Sequence, residues 1–400
     1  ANNIVFFTAI NSTNGWELWK TDGTETGTVL IKDIRPGTSN SAPTYLTVVG
    51  NWVYFVANDG VNGAELWKTD GTEAGTVMVA DIVAGSGSPG IQQLTNVNGT
   101  LFFRAANSGS DLELWKSDGT GAGTILVKDI RPGTTGSGPD YLTAYNGMLY
   151  FNANDGVNGT ELWISDGTEV GTYLLSDISP GSGNSSPSNL AVAEGKIYFS
   201  AYTNSTQYEP WISDGTAAGT FMITEVVPGG SGSVPFGFTG MNGYVYFSAD
   251  ATGTGRELWR TDGTALGTTL VKDIQTGTGD ANPELLTVVN NTLFFRATMP
   301  GGGIELFQSD GTEAGTTGYD LYPGSTTSDP QNLTALNNML LFAATDPIKN
   351  RELWKAVALE VPSFSFSISG DTTVCVGNTE TYTAMNVVGN NISYHWSLPD

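Results

Sequence analysis

Short runs of β-branched and aromatic residues, each closed by glycine, asparagine or aspartate, recur along residues 1–359. Residues 45–82 show one full unit. Tyr45–Val49 is the first run and ends at Gly50-Asn51. Trp52–Ala57 is the second, closed by Asn58-Asp59-Gly60-Val61-Asn62-Gly63. Ala64–Thr69 is the third, turned back by Asp70-Gly71-Thr72-Glu73-Ala74-Gly75, and Thr76–Ile82 is the fourth. Branched and aromatic side chains suit a pleated sheet, and Gly/Asn/Asp clusters supply the tight turns, so the pattern predicts four antiparallel strands joined by hairpins. Both faces of the runs are largely apolar, as when a sheet is sandwiched between two neighbours. A 3.6-residue periodicity, which helices would need, is absent.

The unit repeats in strict register. Glu-Leu-Trp stands at Glu17, Glu65, Glu113, Glu161, Glu257 and Glu352, with degenerate copies at Glu209 and Glu305; the spacing is 48 residues, and 47 before the last copy. Asp-Gly-Thr keeps the same period at Asp22, Asp70, Asp118, Asp166, Asp214, Asp262 and Asp310. Four strands in 40–50 residues is what a propeller blade requires. The expected fold is therefore all-β, a propeller of eight four-stranded blades over residues 1–359, whose first blade lacks its opening strand. A seven-bladed ring, with Asn332–Leu336 completing the N-terminal blade, is the alternative. It would strand the well-formed runs Met339–Ala344 and Arg351–Val357 outside the ring.

The Glu-Leu-Trp-x-x-Asp-Gly-Thr pattern resembles the ELWxxDGT repeat proteins, long exported proteins of Bacteroidetes and myxobacteria. The resemblance implies export, an extracellular or cell-surface location and a repeat architecture, and it supplies no activity. After Leu359 the composition changes. Cys375 followed by Tyr394-His395-Trp396 resembles the start of an immunoglobulin-like or PKD-type module over residues 360–400, too short for a full sandwich of roughly 100 residues.

Charge narrows the partners. With 16 Lys+Arg against 40 Asp+Glu the net charge is −24, which disfavours nucleic acid and anionic membranes, since phosphate binding needs clustered cations. Nowhere does an apolar run approach the roughly 18–20 residues of a membrane helix. Cys375 and His395 are the only cysteine and histidine, so residues 1–360 lack the commonest zinc and nucleophile arrangements. Beginning at Ala1 in mid-repeat, the chain reads as a fragment whose targeting signals lie outside it.

Four sets of residues carry candidate chemistry. The seven Asp-Gly-Thr aspartates could hold cations, but near-identical copies point to structural turns, with aspartate accepting amides two residues on. The glutamates opening each third strand could form a ring of general acids; pairing with backbone amides is the structural reading, because glycoside hydrolysis needs one particular pair of carboxylates. The repeated tryptophan reads as a filler between blades, and a quinone cofactor would lack the vicinal cysteines that some quinoproteins use. Asp59, Asn62 and Glu65, with the near copy Asp155, Asn158 and Glu161, offer at best half of the six to eight oxygens of a calcium site. A glycine-rich hairpin loop is the structural reading there, and no other cofactor is expected.

Function is expected on one face. In a four-stranded antiparallel blade the Asn-Gly and Asp-Gly-Thr turns share one face. The second-to-third loops and the blade-to-blade connections, including Arg35-Pro36-Gly37 and Arg131-Pro132-Gly133, share the other. These loops differ from copy to copy: 11–15, 107–111, 203–208, 251–255, 299–303 and 346–350. Variable loops on a uniform scaffold are where recognition is encoded. Tyr202, Tyr208 and Arg256 are the candidate contacts. The expectation is a non-enzymatic binding or adhesion module for a polysaccharide or protein ligand. A polysaccharide-active enzyme and an architectural spacer are the alternatives.

Overall fold

In blade 2, Thr44–Val49 pairs antiparallel with Trp52–Asn58, which pairs with Ala64–Thr69, which pairs with Val77–Ala80. The computed structural model describes residues 4–107, 109–203, 207–324, 326–347 and 350–357, so the module expected over 360–400 lies outside the described residues. Six sheets repeat the four-stranded order, and a three-stranded sheet stands at each end, giving eight blades. Val5–Asn11, Gly15–Thr21 and Val29–Lys32 form the first, without an opening strand; Gln331–Leu336, Met339–Asp346 and Asn350–Val357 form the last. Because Gln331–Leu336 pairs with Met339–Asp346, with Thr334 opposite Leu341, it does not complete the N-terminal blade, and the seven-bladed alternative falls.

Burial on both faces explains the loss of apolar alternation. Phe55, Ala57 and Trp67 pack with Leu18, Ile31 and Ile34 of blade 1. Tyr54, Val56 and Leu66, pointing the other way, pack with Leu101, Phe103 and Ala105 of blade 3. The tryptophan thus fills the space between blades, and Phe55, Phe103, Phe151, Phe199, Phe247 and Phe295 are each fully buried. At the ends of the array this cover is thinner: Val5 is exposed where its counterpart Val53 is buried. Cations clasp adjacent blades as well. The ammonium groups of Lys20, Lys68 and Lys116 donate to the carbonyls of Gly71, Gly119 and Gly167, and Arg260 donates to Gly311.

The fourth strand is shorter than its apolar run, ending at Ala80 instead of Ile82. Its continuation is diverted, since the Ile82 N–H donates to the Glu65 carboxylate at 3.1 Å and so leaves the ladder. The innermost strands are Thr44–Val49, Gln92–Val97, Asp140–Tyr145, Ser188–Ala193, Phe236–Met241, Glu284–Val289 and Gln331–Leu336. Each touches the next around the inside of the array. Threonine hydroxyls tie several of them, with Thr47 donating to Leu94 O and Thr95 to Leu142 O.

Candidate functional site

On the turn face the aspartates are taken up by their own turns. Asp70 Oδ1 accepts the Thr72 N–H at 2.8 Å and the Thr72 hydroxyl at 2.7 Å, while that hydroxyl accepts the Gly75 N–H at 2.9 Å. Asp22, Asp118, Asp166, Asp214, Asp262 and Asp310 make the same bonds with Thr24, Thr120, Thr168, Thr216, Thr264 and Thr312. The threonine hydroxyl, then the amide, holds Asp22, Asp70, Asp118, Asp166, Asp214 and Asp262 below the usual carboxylate range. Glycine closes the turn for a steric reason, because a Cβ at Gly75 would stand 2.1 Å from Asp70 Oδ1.

Seven third-strand glutamates, Glu17, Glu65, Glu113, Glu161, Glu209, Glu257 and Glu305, are buried beneath the opposite, loop face, where each anchors the connection to the next blade, whereas Glu352 of the last blade is exposed. Glu161 accepts the Ile178 N–H and the Ser185 N–H at 2.8 Å and the Ser185 hydroxyl at 2.5 Å. Ser41, Ser137, Ser233 and Ser328 donate their hydroxyls in the same way to Glu17, Glu113, Glu209 and Glu305. Blades 2 and 6 lack this serine, having Pro89 and Ala281 in its place. Their glutamates stand apart in acidity. Burial, joined by the charges of Asp81 and Asp59 at Glu65 and of Asp273 at Glu257 and opposed only by backbone amides, pushes both up to about 7.

The two loops weighed for calcium use their carboxylates internally. Asp59 Oδ1 accepts the N–H groups of Val61 and Asn62 at 2.8 Å, and its Oδ2 accepts the Asn62 side-chain amide at 2.7 Å. Asp155 repeats this with Val157 and Asn158. Glu161 is buried with the connection donors given above, while buried Glu65 accepts the Ile82 N–H through Oε2 and its Oε1 has no hydrogen-bond partner. Among the described residues, no three His, Cys, Asp or Glu side chains gather as a metal-holding group.

Of the three residues singled out for ligand contact, the structure brings two together. The Tyr202 and Tyr208 rings meet edge-on with centroids 4.9 Å apart. Tyr141 stands at the start of the neighbouring innermost strand, where burial, then Asp140, then Tyr208 pushes its hydroxyl up. Arg256 is already engaged, and it bonds the same 233–234 segment whose N–H groups donate to Tyr208 O. It pairs with Asp250, donates to Val234 O at 3.0 Å and lies 5.0 Å from the Phe236 ring centroid.

Sequence reasoning missed a further set of positions. Each innermost strand is bulged near its loop-face end, as where Thr44 pairs with Val56 but Thr47 with Tyr54, so one residue is extra. The residue after the first paired position has positive φ in all seven innermost strands: Tyr45 (57°), Gln93 (61°), Tyr141 (54°), Asn189 (55°), Gly237 (75°), Leu285 (58°) and Asn332 (55°). Glycine would be the low-cost choice, yet only blade 6 uses it. The available signal was one varying column directly before the repeated Leu-Thr, visible once the repeats are laid in register. By contrast, a concavity of about 290 Å³ lined by Ile4, Lys20, Asp22, Thr26, Gly27 and Val29 lies at the first blade's turn, on the other face.

The chain matches no protein-family profile and no curated protein. Several solved structures are distantly similar at low identity. One is a puromycin hydrolase S511A mutant, at 14% identity and TM-score 0.47, with 79% of this chain and 52% of that chain covered. A structure from a study of two prolyl endopeptidases gives 11% and 0.48, with 79% and 48% covered. The β-propeller domain of the Trilobed protease from Pyrococcus furiosus gives 11% and 0.41, with 78% and 94% covered. This chain thus spans about half the length of the first two, at 52% and 48%.

Proposed function

We propose that the chain is an exported, non-catalytic binding or adhesion module that takes a polysaccharide or protein ligand on its loop face, outside the cell. The ELWxxDGT resemblance supports the location. The observation that carries the reading is the contrast between faces: turn-face aspartates are engaged seven times over in the same bonds, while the loop face brings the Tyr202 and Tyr208 rings together in a loop unlike its counterparts. Aromatic side chains with one polar atom give large contact area at low entropic cost and recur at recognition surfaces. Net charge of −24 speaks against nucleic acid, and no helix among the described residues is long and apolar enough to cross a membrane. Calcium enters this reading only through the Asp59 and Asp155 loops.

The test is a binding screen of the chain against polysaccharides and cell-surface proteins, with and without calcium. Tyr202→Ala and Tyr208→Ala are expected to weaken the interaction at least fivefold while leaving Tm unchanged. Unchanged binding in both, with binding abolished by folded Asp-Gly-Thr variants, would place the site on the wrong face.

A further inference from the structure

We infer that the loop-face rim of the innermost strands is a binding site for a neutral oligosaccharide, carried by Tyr45, Tyr141 and the amides of Gln93, Asn189 and Asn332; this rests on the binding-module reading above. The first ground is strain. Tyrosine, glutamine and leucine at positive φ cost about 1 kcal/mol or more each relative to glycine. Gly237 occupies the equivalent position in blade 6, so the fold itself accepts glycine there. Burial does not repay the cost either: Tyr45 is 45%, Tyr141 36% and Leu285 41% exposed. Side chains kept in a disfavoured conformation and left in solvent point to use beyond folding.

Ligand class follows from the residue types. Seven equivalent positions hold two tyrosines, one leucine, three amides, one glycine and no charge. A tyrosine ring offers an apolar face to the C–H side of a pyranose, and an amide both donates and accepts, which suits paired hydroxyls. An anionic ligand would need free cations. The arginines opposite the strand starts are engaged: Arg104 by Gln92 and by Asp140 at 3.6 Å, Arg296 by Glu284 and by Asp329 at 2.8 Å.

Affinity electrophoresis of the whole chain tests this, using gels that contain laminarin, galactomannan or xyloglucan, against alginate and polygalacturonate, with immobilised cell-surface proteins as a parallel arm. Tyr45→Gly and Tyr141→Gly suit the local φ, so both variants should fold. The expected result is retardation by a neutral polymer, weakened at least tenfold in Tyr141→Gly with Tm unchanged or raised. Neutral-polymer binding that both variants retain overturns the rim assignment. Binding only to acidic polymers or to proteins overturns the neutral ligand while leaving the loop-face reading standing, and binding to nothing overturns both.

Discussion

Both ends of the innermost strands turn through positive φ, and the two ends are occupied by different kinds of residue. On the turn face the positions are Gly50, Asn98, Asn146, Glu194, Asn242, Asn290 and Asn337, mostly the types that tolerate a left-handed backbone. At the loop-face end they are Tyr45, Gln93, Tyr141, Asn189, Gly237, Leu285 and Asn332. One set follows what the backbone prefers. The other sets tyrosine and leucine against it. A repeat protein that solves the same conformational problem in two ways, five residues apart, marks the end at which something besides folding chooses the side chain.

Carboxylates divide along the same line. Hydrogen bonds hold Asp22, Asp70, Asp118, Asp166, Asp214 and Asp262 of the turn face below the usual carboxylate range, whereas burial raises Glu17, Glu65, Glu113, Glu161, Glu209 and Glu257 beneath the loop face. Removing one of these glutamates should have the largest effect on stability. Glu161→Ala orphans two amides and the Ser185 hydroxyl in a dry site, and is expected to lose about 3 kcal/mol in urea unfolding. A loss well under 1 kcal/mol would show that the connection does not depend on its anchor.

Acidity provides a finer probe. Glu65 and Glu257 bind protons more tightly folded, with values of about 7, than unfolded, near 4.5. Between those values the folded state holds more protons, so their contribution is fully present below about 4.5 and is lost as pH rises through about 7. Thermal melts from pH 5 to 8 should therefore show falling stability. Ala281→Ser gives Glu257 the hydroxyl that Ser185 gives Glu161. It should flatten that fall and add about 1 kcal/mol at pH 8. A steeper fall in Ala281→Ser would contradict the assignment of the missing hydroxyl as the cause.

The smallest change compares the strand ends directly. Asn146→Tyr puts at the turn face what Tyr141 already is at the rim, and should cost about 1 kcal/mol of stability while leaving binding intact. Equal binding losses from Asn146→Tyr and Tyr141→Gly would erase the distinction between the ends.

The period of Glu-Leu-Trp made the blades legible, and the β-branched runs between turn signals made the strands so. Strand pairing then decided between seven and eight blades. Tyr202 and Tyr208 stood out because their loop is unlike its counterparts, and the structure brings their rings together. Three features stayed hidden for physical reasons. The fourth strand stops at Ala80 because a buried glutamate captures an amide that propensity assigns to the ladder. Arg256 reads as a free cation until Asp250, Val234 and Phe236 are placed around it. The rim escaped notice because tyrosine and leucine give no hint of positive φ; only the bulge imposes it.

The most direct measurement is the affinity of the triple variant Tyr45→Gly, Tyr141→Gly, Leu285→Gly for a neutral-glycan array, taken together with its Tm. The account predicts that glycan binding disappears while Tm stays within a few degrees of the parent protein. Glycan binding that survives in the folded triple variant would contradict it.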